Sequence, residues 1–201
     1  MKEILHLIER SRKPVLVLIA GASCSGKTSL AFELKKKIHR QGWRVSILSL
    51  DEFFKDIDDP GLPRNEFDQK LFDVVNSYHY LEFLRILHAL VSGIDARTPC
   101  YDIVKAKRAP DKIRLIKANP VIIAEGLFVI SLADDCWNNM VKIYVDTGID
   151  TCLKRRLERD TVRFGVSKEQ VEREWEQKVL PNYERFVLPQ RSQADIVIKI
   201  P

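Results

Sequence analysis

The sequence feature that most constrains the fold is the loop GASCSGKT at 21–28. It follows the apolar run PVLVLIA at 14–20, which predicts a buried strand, and it opens a helix-period segment at 28–41. The spacing Gly-x-x-x-x-Gly-Lys-Thr is that of a P-loop, whose backbone N–H groups and following helix N-terminus bind phosphate. A glycine-rich turn can match this pattern by chance, but the strand before it and the helix after it favour nucleotide binding.

The nucleotide is expected to contact the whole loop. Lys27 would reach the outer phosphates, and the Thr28 hydroxyl would bind Mg²⁺. At Cys24, a variable position, a small filler is expected rather than a redox group. The expected cofactor-binding residues of the loop are Gly21, Ala22, Ser23, Cys24, Ser25, Gly26, Lys27, Thr28 and Ser29.

Apolar runs alternate with helical patterns along the chain. Continuous Val/Ile/Leu runs predict strands that are buried on both faces. With helices between them, they predict an α/β fold with a doubly wound, parallel, five-stranded sheet, in a single domain over 1–201. The strand-like runs lie at 15–20, 44–50, 121–124, 141–145 and 195–200, and the helix-period segments lie at 28–41, 76–92, 129–138, 150–164 and 168–188.

Capping residues and prolines indicate where the later helices begin and end. Asn76 or Ser77 is expected to cap the helix that follows. Residues 167–170, SKEQ, predict a capping box at the start of the last long helix. Pro181 and Pro189 are expected to kink or end that helix.

Two irregular stretches are expected near the mouth of the sheet. Residues 51–70 contain two prolines, a glycine and many charges, which predict a loop. Residues 97–117 predict two short strands with a turn at Ala109-Pro110, which we interpret as a hairpin flap beside the main sheet.

Composition narrows the class of protein. The hydrophobic share of 45% and the charged share of 30% are typical of a globular domain, and no apolar run reaches the roughly 20 residues of a membrane span. The first 13 residues mix charges with apolar side chains, which predicts an amphipathic helix rather than a signal peptide. Cys24, Cys100, Cys136 and Cys152 lack C-x-x-C spacing, so reduced thiols and a cytoplasmic location are expected.

The net charge of +5 fits an anionic small substrate as well as nucleic acid. The basic run KKKIHR at 35–40 is more typical of the end of a helix, where cations offset the dipole. Nucleic-acid binding is therefore disfavoured. A nucleotide-binding regulatory or nucleic-acid-binding protein with little kinase activity is the alternative class.

A P-loop alone does not separate kinases from switch GTPases and motor ATPases. No NKxD base-reading motif is present, and motors are usually longer chains, so a small-molecule kinase is favoured. Such a kinase needs a metal carboxylate, a base for the acceptor hydroxyl and cations for the transferring phosphoryl group.

Acidic residues follow three of the predicted strands. Asp51, Glu125 and Asp146 come at carboxyl ends of strands, where α/β sheets bind ligands. A Glu directly after four buried residues needs a partner, and Mg²⁺ suits Glu125. Asp146 can equally start the next helix.

Arginines recur on one predicted helix. Arg155, Arg159 and Arg163 share a face at i, i+4 and i+8, and Arg156 lies alongside. They form either a lid at 155–166 that closes over the phosphates or a solvated basic face paired with neighbouring acids.

Together these residues resemble the uridine kinase (uridine–cytidine kinase) family of P-loop kinases, close to phosphoribulokinase. The likeness covers roughly residues 14–200 and is carried by many short matches in order. They are GASCSGKT (21–28), LDEFFK (50–55), FD (72–73), PCYD (99–102), AEGL (124–127), YVDT (144–147), RR (155–156) with RD (159–160), LP (180–181) and ADIVI (194–198).

The resemblance implies a kinase that uses Mg²⁺ with ATP (or GTP) and a nucleoside acceptor. Asp51 would be the general base for the 5′-hydroxyl and lie near the metal, which Thr28 and Glu125 would hold. Asp73 would bind the ribose hydroxyls, and Tyr101 would line the nucleoside pocket. The implied catalytic residues are Lys27, Asp51, Arg155 and Arg159. The implied substrate contacts are Asp51, Phe72, Asp73, Tyr101, Arg155 and Arg159. Arg156 would contact the nucleotide. The resemblance also makes a homo-oligomer an option.

The sequence departs from the family pattern on the acceptor side. Val74-Val75 stands where His-Pro is usual, and Ala106 stands at the position of the base-reading histidine. Phe164-Gly165-Val166 replaces Arg-Gly-Arg in the lid, and Glu174 replaces a glutamine. The acceptor is therefore left open.

Another ribosyl compound or a sugar phosphate is the alternative acceptor. Lys105, Lys107 and Arg108 could form an anion site for it, although a solvated basic turn fits the same residues.

Overall fold

The computed structural model describes residues 1–133 and 137–200. The strands are β1 (Val15–Gly21), β2 (Val45–Ser49), β3 (Ala96–Asp102), β4 (Lys107–Ile116), β5 (Val121–Glu125), β6 (Met140–Thr147) and β7 (Ile196–Ile200). The α-helices discussed below are α1 (Lys2–Arg10), α2 (Lys27–Arg40), α3 (Tyr80–Val91), α4 (Val129–Leu132), α5 (Ile149–Phe164) and α6 (Lys168–Glu174).

Five strands form the main sheet, in the order β2-β5-β1-β6-β7, and all its pairs are parallel. The five predicted strands and their parallel arrangement are thus confirmed. The central strand β1 pairs with β5 on one side and β6 on the other, so its carboxyl end lies between theirs. This arrangement brings the loops after β1, β2 and β5 to one edge of the sheet.

The sheet is covered on both faces, as the doubly wound prediction requires. Alternate residues of β1 point into two different cores. Leu16 and Leu18 belong to a core that includes residues of α3 and α4. Val17 and Ile19 belong to a second core that includes residues of α1 and α2. Every residue of β1 is buried, which explains its unbroken apolar sequence.

The N-terminal segment forms the predicted amphipathic helix, α1. Ile4 and Ile8 are its two buried residues, one turn apart, and they pack in the core beneath α2. Across the described ranges 1–133 and 137–200, every helix is too short or too polar to cross a membrane.

The capping prediction for α3 is wrong. The helix begins at Tyr80, after His79, and neither Asn76 nor Ser77 caps it, because both lie in the 3₁₀ turn Val75–Ser77. The Ser77 hydroxyl instead donates to the Leu71 carbonyl at 2.7 Å.

The predicted helix at 129–138 is shorter than expected. In the structure α4 ends at Leu132. Residues 134–136 of the predicted helix, which include Cys136, lie outside the described residues. The other three cysteines, Cys24, Cys100 and Cys152, are free thiols.

The last helical segment begins as predicted but continues past its proline. Ser167 caps α6, and its hydroxyl accepts the Gln170 N–H at 3.2 Å. The chain stays helical through Pro181, and the turn before it, Trp175–Val179, is a π turn in which the Leu180 N–H donates to the Trp175 carbonyl five residues earlier. Pro181 lies within the first two positions of the next helical turn, Leu180–Asn182, where a proline is tolerated. Pro189 lies in the 3₁₀ turn Leu188–Gln193, where the helical run ends.

The hairpin is present, but its predicted turn is wrong. β3 and β4 form a separate antiparallel sheet, with Asp102 opposite Lys107, so the turn spans 103–106 and not Ala109-Pro110. The Asp102 carboxylate accepts the N–H groups of two turn residues at 3.1 Å, and Ala106 adopts a positive φ of 49°. An Asx-type turn thus replaces the expected proline turn.

Gly126 tests how tightly the carboxyl ends of β2 and β5 are packed. A Cβ at this position would lie 2.5 Å from the Leu50 Cβ, and the backbone φ of 158° is unfavourable for other residues. We expect Gly126→Ala to lower the free energy of unfolding by about 1–3 kcal/mol, because the added methyl group overpacks this contact. Urea denaturation measures the change.

Gly148→Ala is the matched control, since its added Cβ would meet nothing closer than the Thr151 hydroxyl at 3.8 Å. We expect a change within about 0.5 kcal/mol. Equal stability of the Gly126→Ala protein and the wild type would contradict the packing described here.

Candidate active site

A cleft of about 820 Å³ opens at the carboxyl edge of the main sheet. The P-loop, the residues after β2 and β5, the β3–β4 hairpin, α5 and α6 surround it. It is lined by most of the site residues predicted from sequence: Ser23, Cys24, Gly26, Lys27, Thr28, Ser29, Asp51, Phe72, Asp73, Tyr101, Glu125, Arg155, Arg156 and Arg159. The other three predicted loop residues, Gly21, Ala22 and Ser25, are buried within the loop.

Hydrogen bonds to its own backbone carbonyls hold the P-loop in shape. Gly26 has a φ of 101°, which the turn into α2 requires. The Lys27 ammonium donates to the Ala22 carbonyl at 2.7 Å, and the Thr147 hydroxyl donates to the Ser25 carbonyl at 2.8 Å. These contacts hold the lysine at the centre of the loop, where a phosphate group would meet it.

Glu125 joins three elements of the sheet edge. Its side chain is only 2% exposed. One carboxylate oxygen accepts the Ser49 hydroxyl at 2.5 Å, and the other accepts the Thr28 hydroxyl at 3.2 Å. Two neutral donors leave its negative charge without a paired cation in the contacts shown, which is expensive for a buried carboxylate.

These oxygen atoms suit Mg²⁺. Among the described residues, no group of three His, Cys, Asp or Glu side chains is arranged to bind a metal by itself. Mg²⁺ needs no such cage, because it commonly takes one or two protein oxygens and completes its shell with phosphate oxygens and water. Thr28 and Glu125 are the residues that would hold it, with Asp51 close by, and when bound it would neutralise charge on the nucleotide phosphates.

Asp51 lies at the end of β2, in the 3₁₀ turn Leu50–Phe53. The Ser49 hydroxyl accepts its backbone N–H at 3.4 Å. The carboxylate keeps accessible surface, but that surface faces the cleft, so protein surrounds it on the other sides. This burial, followed by the nearby Glu125 charge, raises the pKa of Asp51 to about 6, while Lys27 and Arg159 oppose the shift. A carboxylate with this pKa is suited to accept a proton near neutral pH.

Asp160 organises the arginines of α5. It is buried, and it accepts from Arg159 at 2.6 Å and from Arg156 at 3.2 Å. One carboxylate thus holds two guanidinium groups on the face of α5 that lines the cleft.

Two of these arginines also reach across the cleft. Arg156 donates to the Ser23 hydroxyl at 3.3 Å and lies 3.8 Å from the Asp73 carboxylate, so it connects the P-loop with the acceptor side. Arg155 donates to the Cys24 carbonyl at 3.4 Å. Arg155, Arg156 and Arg159 thus line the cleft, as the lid interpretation expects, while the pairing with Asp160 that the alternative expected is also present for Arg156 and Arg159.

Arg163 does not join them. It is exposed and lies outside the cleft lining.

Asp146, the third acid at a strand end, also lies outside the cleft lining, and its carboxylate accepts from Arg191 at 3.2 Å. Its role is a surface ion pair.

An aromatic cluster lines the part of the cleft where the family resemblance predicts the acceptor. Phe54 is its centre, with ring centroids 4.2 Å from Tyr78, 5.5 Å from Tyr101 and 5.9 Å from Phe72. Phe54 and Tyr78 were not identified from sequence. The position of Phe54 three residues after Asp51 was a usable signal, whereas nothing local indicates Tyr78.

The hairpin contributes an apolar wall. Of its four residues that line the cleft, Tyr101, Ile103, Val104 and Ala106, only Tyr101 has a polar side-chain atom. That hydroxyl donates to the Lys55 carbonyl at 3.2 Å. Ala106 is fixed in place, because its carbonyl accepts the Ile57 N–H at 2.8 Å.

The candidate anion site of the hairpin is not supported by the structure. Each of its three cations is paired with a carboxylate, which offsets its charge. The pairs are Lys105 with Asp102 at 3.9 Å, Lys107 with Asp58 at 2.6 Å and Arg108 with Glu82 at 2.6 Å.

The opposite wall comes from the end of α5 and from α6. Phe164 and Val166 line the cleft where the family pattern has arginines. Glu174 also lines it, and its carboxylate accepts the Gln170 amide at 3.4 Å.

Comparison with known proteins identifies the family of the chain. The model of the phosphoribulokinase / uridine kinase family matches residues 16–200. The uridine kinase of Saccharomyces cerevisiae is 34% identical over 194 residues, which cover 92% of this chain and 36% of the yeast protein. The chain thus spans just over a third of that relative's length.

A bacterial relative is closer in length. The uridine kinase of Lactobacillus helveticus is 32% identical over 193 residues, which cover 96% of this chain and 89% of that protein. Among solved structures, a protein from Silicibacter matches with a TM-score of 0.75 at 20% identity, over 98% of this chain and 96% of its own. At that identity the structural match shows the fold alone.

Asp160 tests the arrangement of the arginines. Asp160→Asn keeps the size of the side chain but removes the charge that both guanidinium groups share. We expect the free energy of unfolding to fall by about 1–3 kcal/mol, because charge-assisted hydrogen bonds are lost at a buried position. Urea denaturation measures it.

Glu158→Gln on the same helix is the control, since Glu158 is exposed. Its stability should change by less than about 0.5 kcal/mol. If both variants are as stable as the wild type, Asp160 does not hold the arginines in place.

Proposed function

The chain belongs to the phosphoribulokinase / uridine kinase family, and on that premise we propose that it transfers the γ-phosphoryl group of ATP (or GTP), with Mg²⁺, to the 5′-hydroxyl of a nucleoside. Uridine and cytidine are the leading acceptors, since the relatives that match most of this chain include proteins named uridine kinase. The observation that carries the proposal is the juxtaposition of Asp51 and Glu125 with Lys27 and three arginines in one cleft.

Asp51 is the proposed general base. It lies next to the cations that would surround a γ-phosphate, and burial raises its pKa to about 6. A 5′-hydroxyl placed between Asp51 and the phosphate could therefore transfer its proton as the new P–O bond forms. Glu125 is proposed to hold Mg²⁺ together with Thr28, whose hydroxyl donates to one of its carboxylate oxygens, while the Ser49 hydroxyl donates to the other.

Lys27, Arg155, Arg156 and Arg159 are proposed to stabilise the charge of the phosphoryl group in transfer. Phosphoryl transfer depends mainly on positioning and on such cations, rather than on covalent steps in the protein. Because Arg156 and Arg159 share Asp160, they are held in position before a nucleotide binds. That preorganisation favours the transition state.

The acceptor is proposed to lie between Asp73 and the aromatic cluster. A carboxylate such as Asp73 can accept two hydrogen bonds, which suits the 2′ and 3′ hydroxyls of ribose. Phe72 and Tyr101 would contact the ring attached to the sugar. A sugar-phosphate acceptor is less well supported, since the three hairpin cations are paired.

A reaction of this kind would return free pyrimidine nucleosides to the nucleotide pool, which is pyrimidine salvage. The three free thiols of the described residues are in keeping with the reducing cytoplasm. A homo-oligomer remains a prediction from the resemblance.

Asp51→Asn tests the proposed base. The amide cannot accept the proton, so we expect kcat to fall by about 10²–10⁴-fold while the dissociation constant for ATP changes less than about threefold. Coupled ADP release gives kcat, and calorimetric titration gives ATP binding.

Asp146→Asn is the matched control, because it removes another acid at the end of a strand that lies outside the cleft. It should keep near-wild-type turnover. Turnover of the Asp51→Asn enzyme close to that of the wild type would mean that Asp51 is not the base.

Acceptor selectivity tests the role of the hairpin. Since Ala106 provides no donor and the Tyr101 hydroxyl is already bonded, we expect little discrimination at the edge of the ring. The kcat/KM values for uridine, cytidine and the riboside of pyrimidin-2-one, which lacks the 4-substituent, should agree within about tenfold. A loss of about a thousandfold for the pyrimidinone riboside would show that the ring edge is read after all.

A further inference from the structure

Tyr78 has a buried hydroxyl that nothing in the proposed reaction uses. The residue is only 1% exposed, yet it is among those that line the cleft. Its hydroxyl has no hydrogen-bond partner among the residues that the structure describes. Most buried polar groups in proteins do have one, so this hydroxyl requires an explanation.

The surrounding backbone fixes the position of Tyr78. An antiparallel bridge joins Phe54 and Tyr78, the Lys55 N–H donates to the Ser77 carbonyl at 2.9 Å, and the His79 N–H donates to the Phe53 carbonyl at 2.8 Å. These bonds attach the segment after Asp73 to the segment after Asp51. Tyr78 therefore stands between the two parts of the chain that carry the acceptor-side carboxylates.

The ring is held as firmly as the backbone. It is stacked on Phe54 at 4.2 Å and meets the edge of Phe128 at 5.9 Å. Since Tyr78 is only 1% exposed and packs against both rings, the side chain cannot turn its hydroxyl to bulk solvent without leaving the core. A phenylalanine would make the same ring contacts, and it would avoid the cost of an unpaired buried hydroxyl.

The charges around Tyr78 make it a donor. Burial is the main cause that raises its pKa well above the ordinary value, and the charges of Asp51, Asp73 and Glu125 add to the shift. The hydroxyl therefore keeps its proton at any working pH. The hydroxyl is thus a neutral donor in a part of the cleft that the carboxylates share with the aromatic cluster.

We propose that the Tyr78 hydroxyl is a further contact of the acceptor site, which donates a hydrogen bond to an oxygen of the acceptor's sugar. This inference rests on the proposed function, because the sugar is the part of a nucleoside that Asp51 and Asp73 would hold. In the structure the hydroxyl has almost no accessible surface. Contact therefore requires neighbouring side chains to move as the acceptor enters, and the neighbour that this inference assigns is the half-buried Phe54 ring, which stacks on Tyr78 and lines the cleft.

The first experiment compares Tyr78→Phe with Tyr144→Phe. Tyr144 is another buried tyrosine, and it lies outside the cleft lining. We expect Tyr78→Phe to lower kcat/KM for uridine about tenfold, the usual effect of losing one neutral hydrogen bond to a ligand. The KM for ATP should stay within about twofold and the melting temperature should not fall, because the hydroxyl has no partner in the free protein. Tyr144→Phe should leave kcat/KM for uridine unchanged.

A purely structural role predicts a different result. It would lower the melting temperature of the Tyr78→Phe protein or change the KM for ATP and uridine together. Either result, or an unchanged kcat/KM for uridine, would overturn the proposal.

The second experiment removes the sugar oxygens in turn. The Tyr78→Phe and wild-type enzymes are compared on 2′-deoxyuridine, 3′-deoxyuridine and carbocyclic uridine, in which a methylene group replaces the ring oxygen. If Tyr78 contacts one of these oxygens, the kcat/KM values of the two enzymes should differ by no more than about twofold on the analogue that lacks that oxygen. An undiminished effect on all three analogues would overturn the contact with the sugar.

Binding separates this inference from the proposed function. Calorimetric titration of uridine into the ADP-bound wild type and Tyr78→Phe proteins requires no turnover. Weaker binding by the variant supports the contact even if the wild type fails to phosphorylate uridine, which would overturn only the proposed reaction. If the wild type neither binds nor phosphorylates any nucleoside, both the proposed function and this inference are overturned.

Discussion

The buried carboxylate of Glu125 is the interaction on which the site depends. A charge at 2% exposure is tolerated only where polar groups surround it, and here the donors are hydroxyls from two other elements. Ser49 ends β2 and Thr28 begins α2, so their contacts with Glu125 fix the position of β5 relative to the P-loop. Parallel pairing makes this possible, since Ser49, Ile19 and Glu125 occupy the same register across three neighbouring strands. The fold thus delivers the proposed metal ligands to one place.

A second constraint is the balance of charge across the cleft. Acids on the sheet face cations on the P-loop and α5, and each set modifies the other: Lys27 and Arg159 limit the rise in the pKa of Asp51 that burial and Glu125 cause. Asp160 binds two of the guanidinium groups, and one of them, that of Arg156, also lies 3.8 Å from the Asp73 carboxylate. The arrangement leaves Asp51 basic enough to accept a proton and not so basic that it is protonated at neutral pH.

The sequence predicted those features that depend on neighbouring residues. Unbroken apolar runs identified all five strands of the main sheet, and the P-loop and strand-end acids identified much of the cleft lining. Two local features were nevertheless missed: the Asp102 side chain forms an Asx-type turn in the hairpin, and a π turn precedes Pro181, through which the chain stays helical. Tyr78 could not be found at all, since it reaches the cleft only through a bridge to Phe54. Pairings between residues far apart in the chain leave no periodicity to detect.

The distribution of polar groups within the cleft indicates how an acceptor would be selected. Directional donors and acceptors concentrate at the reacting end, where Asp51, Asp73 and Tyr78 lie. The hairpin end offers apolar side chains and ring faces, whose contacts depend on area rather than on the pattern of hydrogen bonds. Strong rejection of a wrong substrate requires a buried polar group that is left unpaired when that substrate binds. In this cleft such groups would lie around the sugar of the proposed nucleoside acceptor, so a change in the sugar should be rejected more strongly than a change at the edge of the base.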